Sequence, residues 1–175
     1  VRTSTVALLQ LAPAGPDLEG GLTVGEAACR RARAVGADIA VFPEVRSNSY
    51  ASAVVEESRG GLYRHPQRWD GAALPPVPMP EAVWLGESVD RDSPFVRHFQ
   101  ALAELDMATA LTYPERWDGP PRNSVSLIDR HGRTVLHQAK VHTCAFGLPE
   151  ALLTPGTPSA GANWTPPRAR CASAR

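Results

Sequence analysis

Net charge is the first thing this sequence lacks. Its 18 lysines and arginines balance 18 aspartates and glutamates. With no excess of either sign, nothing electrostatic directs the chain to nucleic acid or to an anionic membrane. Cysteine is scarce as well. Cys29, Cys144 and Cys171 are far apart and odd in number, which excludes a disulfide framework and argues for a reducing, cytoplasmic compartment. Long apolar runs are missing: none approaches the roughly 20 residues that a membrane-spanning helix needs. The opening stretch "VRTSTVALLQLAPAG" has one basic residue and is broken by Gln10, so it reads as a first strand rather than a signal peptide. There is no internal repeat. What is present is 175 residues with 43% hydrophobic content, enough for one domain with its own core.

The pattern along the chain is α/β. "TVALLQLAP", Thr5 to Pro13, is a nearly continuous apolar run ended by proline and predicts a buried strand. In "GGLTVGEAACRRARAVGAD", Val24, Ala28, Ala32 and Val35 recur at helical spacing, Arg31 lies near that stripe, and Gly36 supplies a stop. "DIAVFPE" predicts a second buried strand from Ile39 to Phe42, so the three segments form a βαβ unit. From Ser58 to Pro80 the chain is rich in Gly and Pro without a sustained period, the mark of a long loop, either a pocket lid or poorly ordered. Ser93 and Pro94 then suit the N-cap and first turn of a helix whose apolar face is Phe95, Phe99 and Leu102. "MATALTY", Met107 to Tyr113, predicts a strand. "NSVSLIDRHGRTVLHQAK" predicts a hairpin turning at Gly132. After Gly156 the tail, residues 157–175, loses periodicity and becomes rich in Pro, Ala and Arg, as expected of a disordered segment.

Three residues are candidates for chemistry. Glu44 follows a buried strand and a proline in "VFPE", where open α/β sheets place their sites. Lys140 ends a strand, where a fixed cation can stabilise an oxyanion. Glu150 lies ten positions on and could pair with that lysine, keeping it charged. Each taken singly reads as an ordinary surface residue. His142 and Cys144 form an H-x-C, but two ligands without a second pair do not make a zinc site. Arginines flank Cys171 in "RARCASAR" and could lower its pKa, yet no base or strand surrounds it.

In order, the pieces are more specific. "VALLQLAP", "GADIAVFPE", "RNSVSLIDRHGRTVLHQAKVH" and then E-x4-PG together resemble the nitrilase superfamily, the carbon-nitrogen hydrolases, over Thr5 to Gly156. The resemblance implies an α-β-β-α sandwich, present here in part, and association into dimers or larger assemblies through a helix layer. It implies cysteine-based hydrolysis of small amides, nitriles or carbamoyl groups, with no metal or organic cofactor. Glu44 matches the general base, Lys140 the lysine that stabilises the tetrahedral intermediate, and Glu150 the second glutamate that supports the lysine. Asn123 and Tyr50 match positions near the substrate pocket.

One part of the pattern is missing. The family's nucleophile lies in a motif like "ICYD" at the end of a further strand beyond "PG", and this sequence contains none. Cys171 and Cys144 both lack that setting. The expectation is therefore an incomplete hydrolase with uncovered inner sheet faces, inactive, and either poorly soluble or in need of a partner. The alternative is a non-catalytic protein that binds small amides or pairs with an intact homologue. A slipped reading frame would account for the tail. Asn163-Trp164-Thr165 is encoded AAY-TGG-ACN, and reading one base earlier forces Leu-Asp. With GC-rich codons the tail then runs approximately DAFRRGELDTAPGPVRVGA, a continuation that leads toward the missing motif.

Overall fold

Strand β1, Val6–Leu8, pairs in parallel with β2, Ile39–Val41, through helix α1, Leu18–Ala34. This is the expected βαβ unit. The computed structural model describes residues 3–11, 17–48, 81–144 and 150–158; the 58–80 segment and most of the tail lie outside them. Two short helices follow, α2 at Glu81–Gly86 and α3 at Pro94–Ala101. Strands β3, Ala108–Trp117, β4, Gly119–Ile128, and β5, Thr134–Ala139, complete a five-stranded sheet in the order β1-β2-β3-β4-β5. The β2–β3 pair is parallel, and the β3–β4 and β4–β5 pairs are antiparallel. Strands β2 and β5 therefore point the same way, and their carboxyl ends share one edge of the sheet with the start of β4.

Local chemistry explains the ends of these elements. Asp17 caps α1 by accepting a hydrogen bond from the Gly20 N–H at 2.8 Å. Ser93 caps α3, its hydroxyl accepting from Val96 N–H, with Pro94 in the first turn. At the β4–β5 turn the Asp129 carboxylate accepts from the backbone of His131 and Arg133, and Gly132 takes the left-handed φ of 77°.

One face of the sheet is packed by helices. Ala40, Leu111, Tyr113 and Ile128 meet Ala28, Cys29 and Ala32 of α1 and Phe95, Val96 and Phe99 of α3. Phe99 stands edge-on to Phe42 and Phe95, with centroids 5.1 and 5.4 Å apart. A Cβ at Gly25 would lie 2.8 Å from Phe99 Cζ, so α1 sits as close to α3 as it does because glycine occupies that position.

Two expectations are corrected. The buried stripe of α1 is Gly21, Gly25, Ala28, Cys29 and Ala32, while Val24 and Val35 are 45% and 80% exposed. Close helix packing selects the smallest side chains, not the most apolar ones. Strand β1 is not buried on both faces either: Val6 is 50% and Leu8 70% exposed. They point away from the helices because residues alternate along a strand, and Ala7 between them packs on the core. The same alternation puts Ile39, Val41, Leu127 and Leu136 on this second face, and none of them is fully buried. The sheet is thus the inner layer of an α/β fold covered by helices on one side. No helix among the described residues is long and apolar enough to cross a membrane.

Candidate active site

The loop that follows β2 turns sharply. Pro43 blocks further pairing, and Val45 adopts φ 55°, a strained conformation for a β-branched residue. Neighbouring contacts hold the loop there. The Thr112 hydroxyl donates to Pro43 O, and Arg46 N–H donates to Thr112 O at 3.2 Å. The buried Arg46 guanidinium donates to Gly21 O at 2.9 Å, and Asn48 Nδ2 donates to Trp84 O at 3.1 Å. Val45 itself packs with Trp84 and Leu153. Glu44 is thereby presented from a rigid mount while remaining partly exposed.

Lys140 leaves β5 in register with β4, its N–H donating to Asn123 O at 2.7 Å. Its ammonium lies between two carboxylates, 2.9 Å from Glu44 Oε1 and 2.6 Å from Glu150 Oε1. The Asn123 amide donates to the same two oxygens, at 2.7 and 3.1 Å. Burial opposes the charged form of Lys140, but the hydrogen bonds and charges of Glu150 and Glu44 outweigh it and hold the ammonium well above its usual range. Lysine is therefore a fixed cation here and not a proton donor near neutrality.

Glu150 is no surface residue. It opens a short 3-10 turn, Glu150–Leu152, and is 5% exposed. The Pro-Gly that follows explains its position. Thr154 N–H donates to Pro121 O and Gly156 N–H to Lys140 O, each at 2.8 Å. A Cβ at Gly156 would lie 2.4 Å from Ala139 O, so only glycine lets this segment lie against β5. The E-x4-PG spacing thus returns the chain to the strand end that carries Lys140.

The structure therefore brings Glu44, Asn123, Lys140 and Glu150 together from positions up to 106 residues apart in the chain. Glu44, Asn123 and Lys140 border an open cleft of about 190 Å³ that Thr112, Ser124, Val125 and Gln138 also line. Tyr50 lies outside the described residues. Sequence reasoning missed the involvement of Cys144. Its N–H donates to Glu150 Oε2 at 2.6 Å, and the Glu150 carboxylate beside the thiol pushes it above its ordinary value, with burial adding to the effect. Nothing in "HTCAF" signals that contact. Cys29 is buried on the helix side of the sheet, where desolvation pushes it up to about 11. Neither thiol is poised as a thiolate. Among the described residues no cluster of three or more His, Cys, Asp and Glu side chains has the arrangement of a metal site.

Comparison with known proteins agrees with this architecture. The sequence matches the carbon-nitrogen hydrolase family over residues 5–166. No curated protein matches it. Among solved structures, the chain is similar to a CN-hydrolase superfamily protein from Xanthomonas campestris with an arsenic adduct in its active site. The TM-score is 0.64 at 16% identity, covering 91% of this chain and 48% of that one. It is also similar to a double mutant of the Nesterenkonia sp. AN1 amidase in complex with acrylamide, with a TM-score of 0.58 at 16% identity, covering 89% and 49%. A glutamine-dependent NAD+ synthetase from Acinetobacter baumannii shares the fold too, with a TM-score of 0.57 at 15% identity, covering 87% and 24%. The chain spans about half the length of the first two structures or less than that of the third. Because the family match runs through both strand ends that carry Glu44 and Lys140, and the sheet and its helix layer are shared with these structures, the chain belongs to the carbon-nitrogen hydrolase family.

Proposed function

We propose that this chain supplies the base, the cation and the supporting carboxylate for thiol-dependent hydrolysis of small non-peptide C–N substrates: amides, nitriles or carbamoyl compounds. The observation that carries the reading is the single ammonium of Lys140 held by both Glu44 and Glu150, with Asn123 donating to the same pair. Glu44, the more exposed carboxylate, accepts the proton of an attacking thiol. With an amide or carbamoyl substrate, sulfur then bonds to the carbonyl carbon, and the oxygen that becomes negative lies against Lys140. Collapse releases ammonia, which takes its proton from Glu44, and water hydrolyses the thioester. Glu150 keeps Lys140 charged and aimed. The amidase relative was captured with acrylamide, which favours amides among the three substrate classes.

The nucleophile is the group the described residues do not supply. Cys29 is buried behind the sheet, and the Cys144 thiol lies beside the carboxylate that keeps it protonated. We therefore expect no measurable ammonia release by the 175-residue chain from a panel of small amides, nitriles and carbamoyl compounds. The same cleft favours a second reading, binding of a small amide without turnover, which titration with acetamide followed by NMR measures directly. Extending the chain with the shifted-frame sequence restores release on this account, and Glu44→Gln or Lys140→Met abolishes it again. Robust release that survives replacement of both Cys144 and Cys171 contradicts the chemistry, and release lost with Cys171 alone identifies that residue as the nucleophile.

A further inference from the structure

We infer that Thr112 is the positioning residue that fixes the Glu44 carboxylate against Lys140, by closing the backbone excursion from which Glu44 projects. This role presumes Glu44 and Lys140 as the base and cation proposed above. Phe42 N–H donates to Ala110 O at 3.1 Å, continuing the parallel pairing of β2 with β3. A parallel ladder advances two residues at a time, so its next bond would run from Glu44 N–H to Thr112 O. Instead Arg46 N–H takes that carbonyl, at 3.2 Å. Glu44 and Val45 are thus two extra residues pushed out of the ladder, and Val45 takes the left-handed φ of 55°.

The Thr112 hydroxyl closes this excursion. It donates its one proton to Pro43 O at the entry and accepts from Arg46 N–H at the exit, the latter at 3.2 Å. Among the described residues, Thr112 alone bonds to the backbone on both sides of Glu44. The Arg46 guanidinium on Gly21 O and the Asn48 amide on Trp84 O anchor the chain beyond the excursion and reach neither flank of it. Packing does not aim the Glu44 side chain either, since it is 45% exposed. Its direction comes from the backbone that carries it. From that mount Glu44 Oε1 lies 2.9 Å from Lys140 Nζ and accepts from Asn123 Nδ2 at 2.7 Å. An exposed glutamate held only by its partners loses side-chain entropy for each contact it keeps, and a fixed mount reduces that loss. A branched Cβ also restricts χ1 of threonine, so the hydroxyl is itself held in line with Pro43 O.

Lys140 is the only lysine in the chain, so its reactivity reports the position of Glu44 without interference from other lysines. The test is the rate at which trace acetic anhydride acetylates Lys140 in the full 175-residue chain at about pH 10, read by mass spectrometry against a free lysine peptide in the same tube. In the unsubstituted chain two carboxylates keep the amine protonated and acetylation is slow. Thr112→Val keeps the shape of threonine and removes the hydroxyl. It is expected to speed acetylation roughly tenfold, the effect of withdrawing one opposite charge from the amine, with native circular dichroism. Thr112→Ser keeps the hydroxyl and stays slow. Glu44→Gln is the control for the site and is expected to match Thr112→Val. If Glu44→Gln leaves acetylation slow, Glu44 does not hold Lys140, and the reading of the site falls together with this role. If Glu44→Gln speeds it and a folded Thr112→Val does not, the role of Thr112 alone is overturned. A second measurement needs no variant: the Thr112 hydroxyl proton is expected to exchange slowly enough to be seen by NMR at low temperature, and exchange at the solvent rate overturns the role even where Thr112→Val does not fold.

Discussion

Glu44, Lys140 and Glu150 differ from ordinary surface residues only in what surrounds them, and so does Glu115, which the sequence did not mark. Glu115 in β3 is 2% exposed. Ser124 donates to it at 2.7 Å, Arg91 lies at 2.9 Å and His137 at 3.2 Å. Burial alone would raise its pKa, but those partners outweigh it and bring the carboxyl down to about 2 from 4.5. A depressed carboxylate contributes stability that is present above the unfolded value and lost as pH falls through the folded one. The window is therefore pH 4.5 to 2, and the loss across it is about 3 kcal/mol at 1.36 kcal/mol per unit. Urea unfolding at intervals across that window should show the decline, and Glu115→Gln should flatten it relative to the unsubstituted chain. Equal slopes in the two proteins would show that other carboxylates carry the acid sensitivity.

At the scale of elements, small residues set the distances. Gly25 brings α1 against Phe99, and Gly156 brings the segment after Glu150 against the backbone of Ala139. The two glycines are not equivalent. A side-chain ring opposes Gly25, whereas a carbonyl 2.4 Å from the would-be Cβ opposes Gly156, and a strand backbone cannot yield without breaking its ladder. Gly156→Ala is therefore expected to cost about 2 kcal/mol in unfolding free energy, in the range of overpacking substitutions. It should also release the hydrogen bond from Gly156 N–H to Lys140 O, visible as faster exchange of the Gly156-position amide. An alanine variant with native stability and unchanged exchange would mean that the E-x4-PG spacing has another cause.

On the scale of the whole molecule, one sheet face is closed by helices and the other carries an uncharged apolar surface beside the cleft.

The sequence by itself determined the order and type of most elements. Short apolar runs next to Pro and Gly marked β1 and β2, Ser93-Pro94 marked the start of α3, and "DRHGR" marked the β4–β5 turn. These signals are local, so they survive in one dimension. It also singled out Glu44, Asn123, Lys140 and Glu150, through motif order rather than through any property of those residues alone. Tertiary structure decided the rest, because the rest depends on what faces what. Val24 and Val35 fit the helical period but lie outside the buried stripe, since contact with Phe99 and the sheet selects Gly25 and Ala28. Val6 and Leu8 read as buried and are exposed, since burial of a strand depends on whether a layer covers each face. Arg46 and Glu115 are charged residues in the interior, and Cys144 lies against Glu150. Such pairings leave no periodic trace in the chain, because they form only when the folded segments come together.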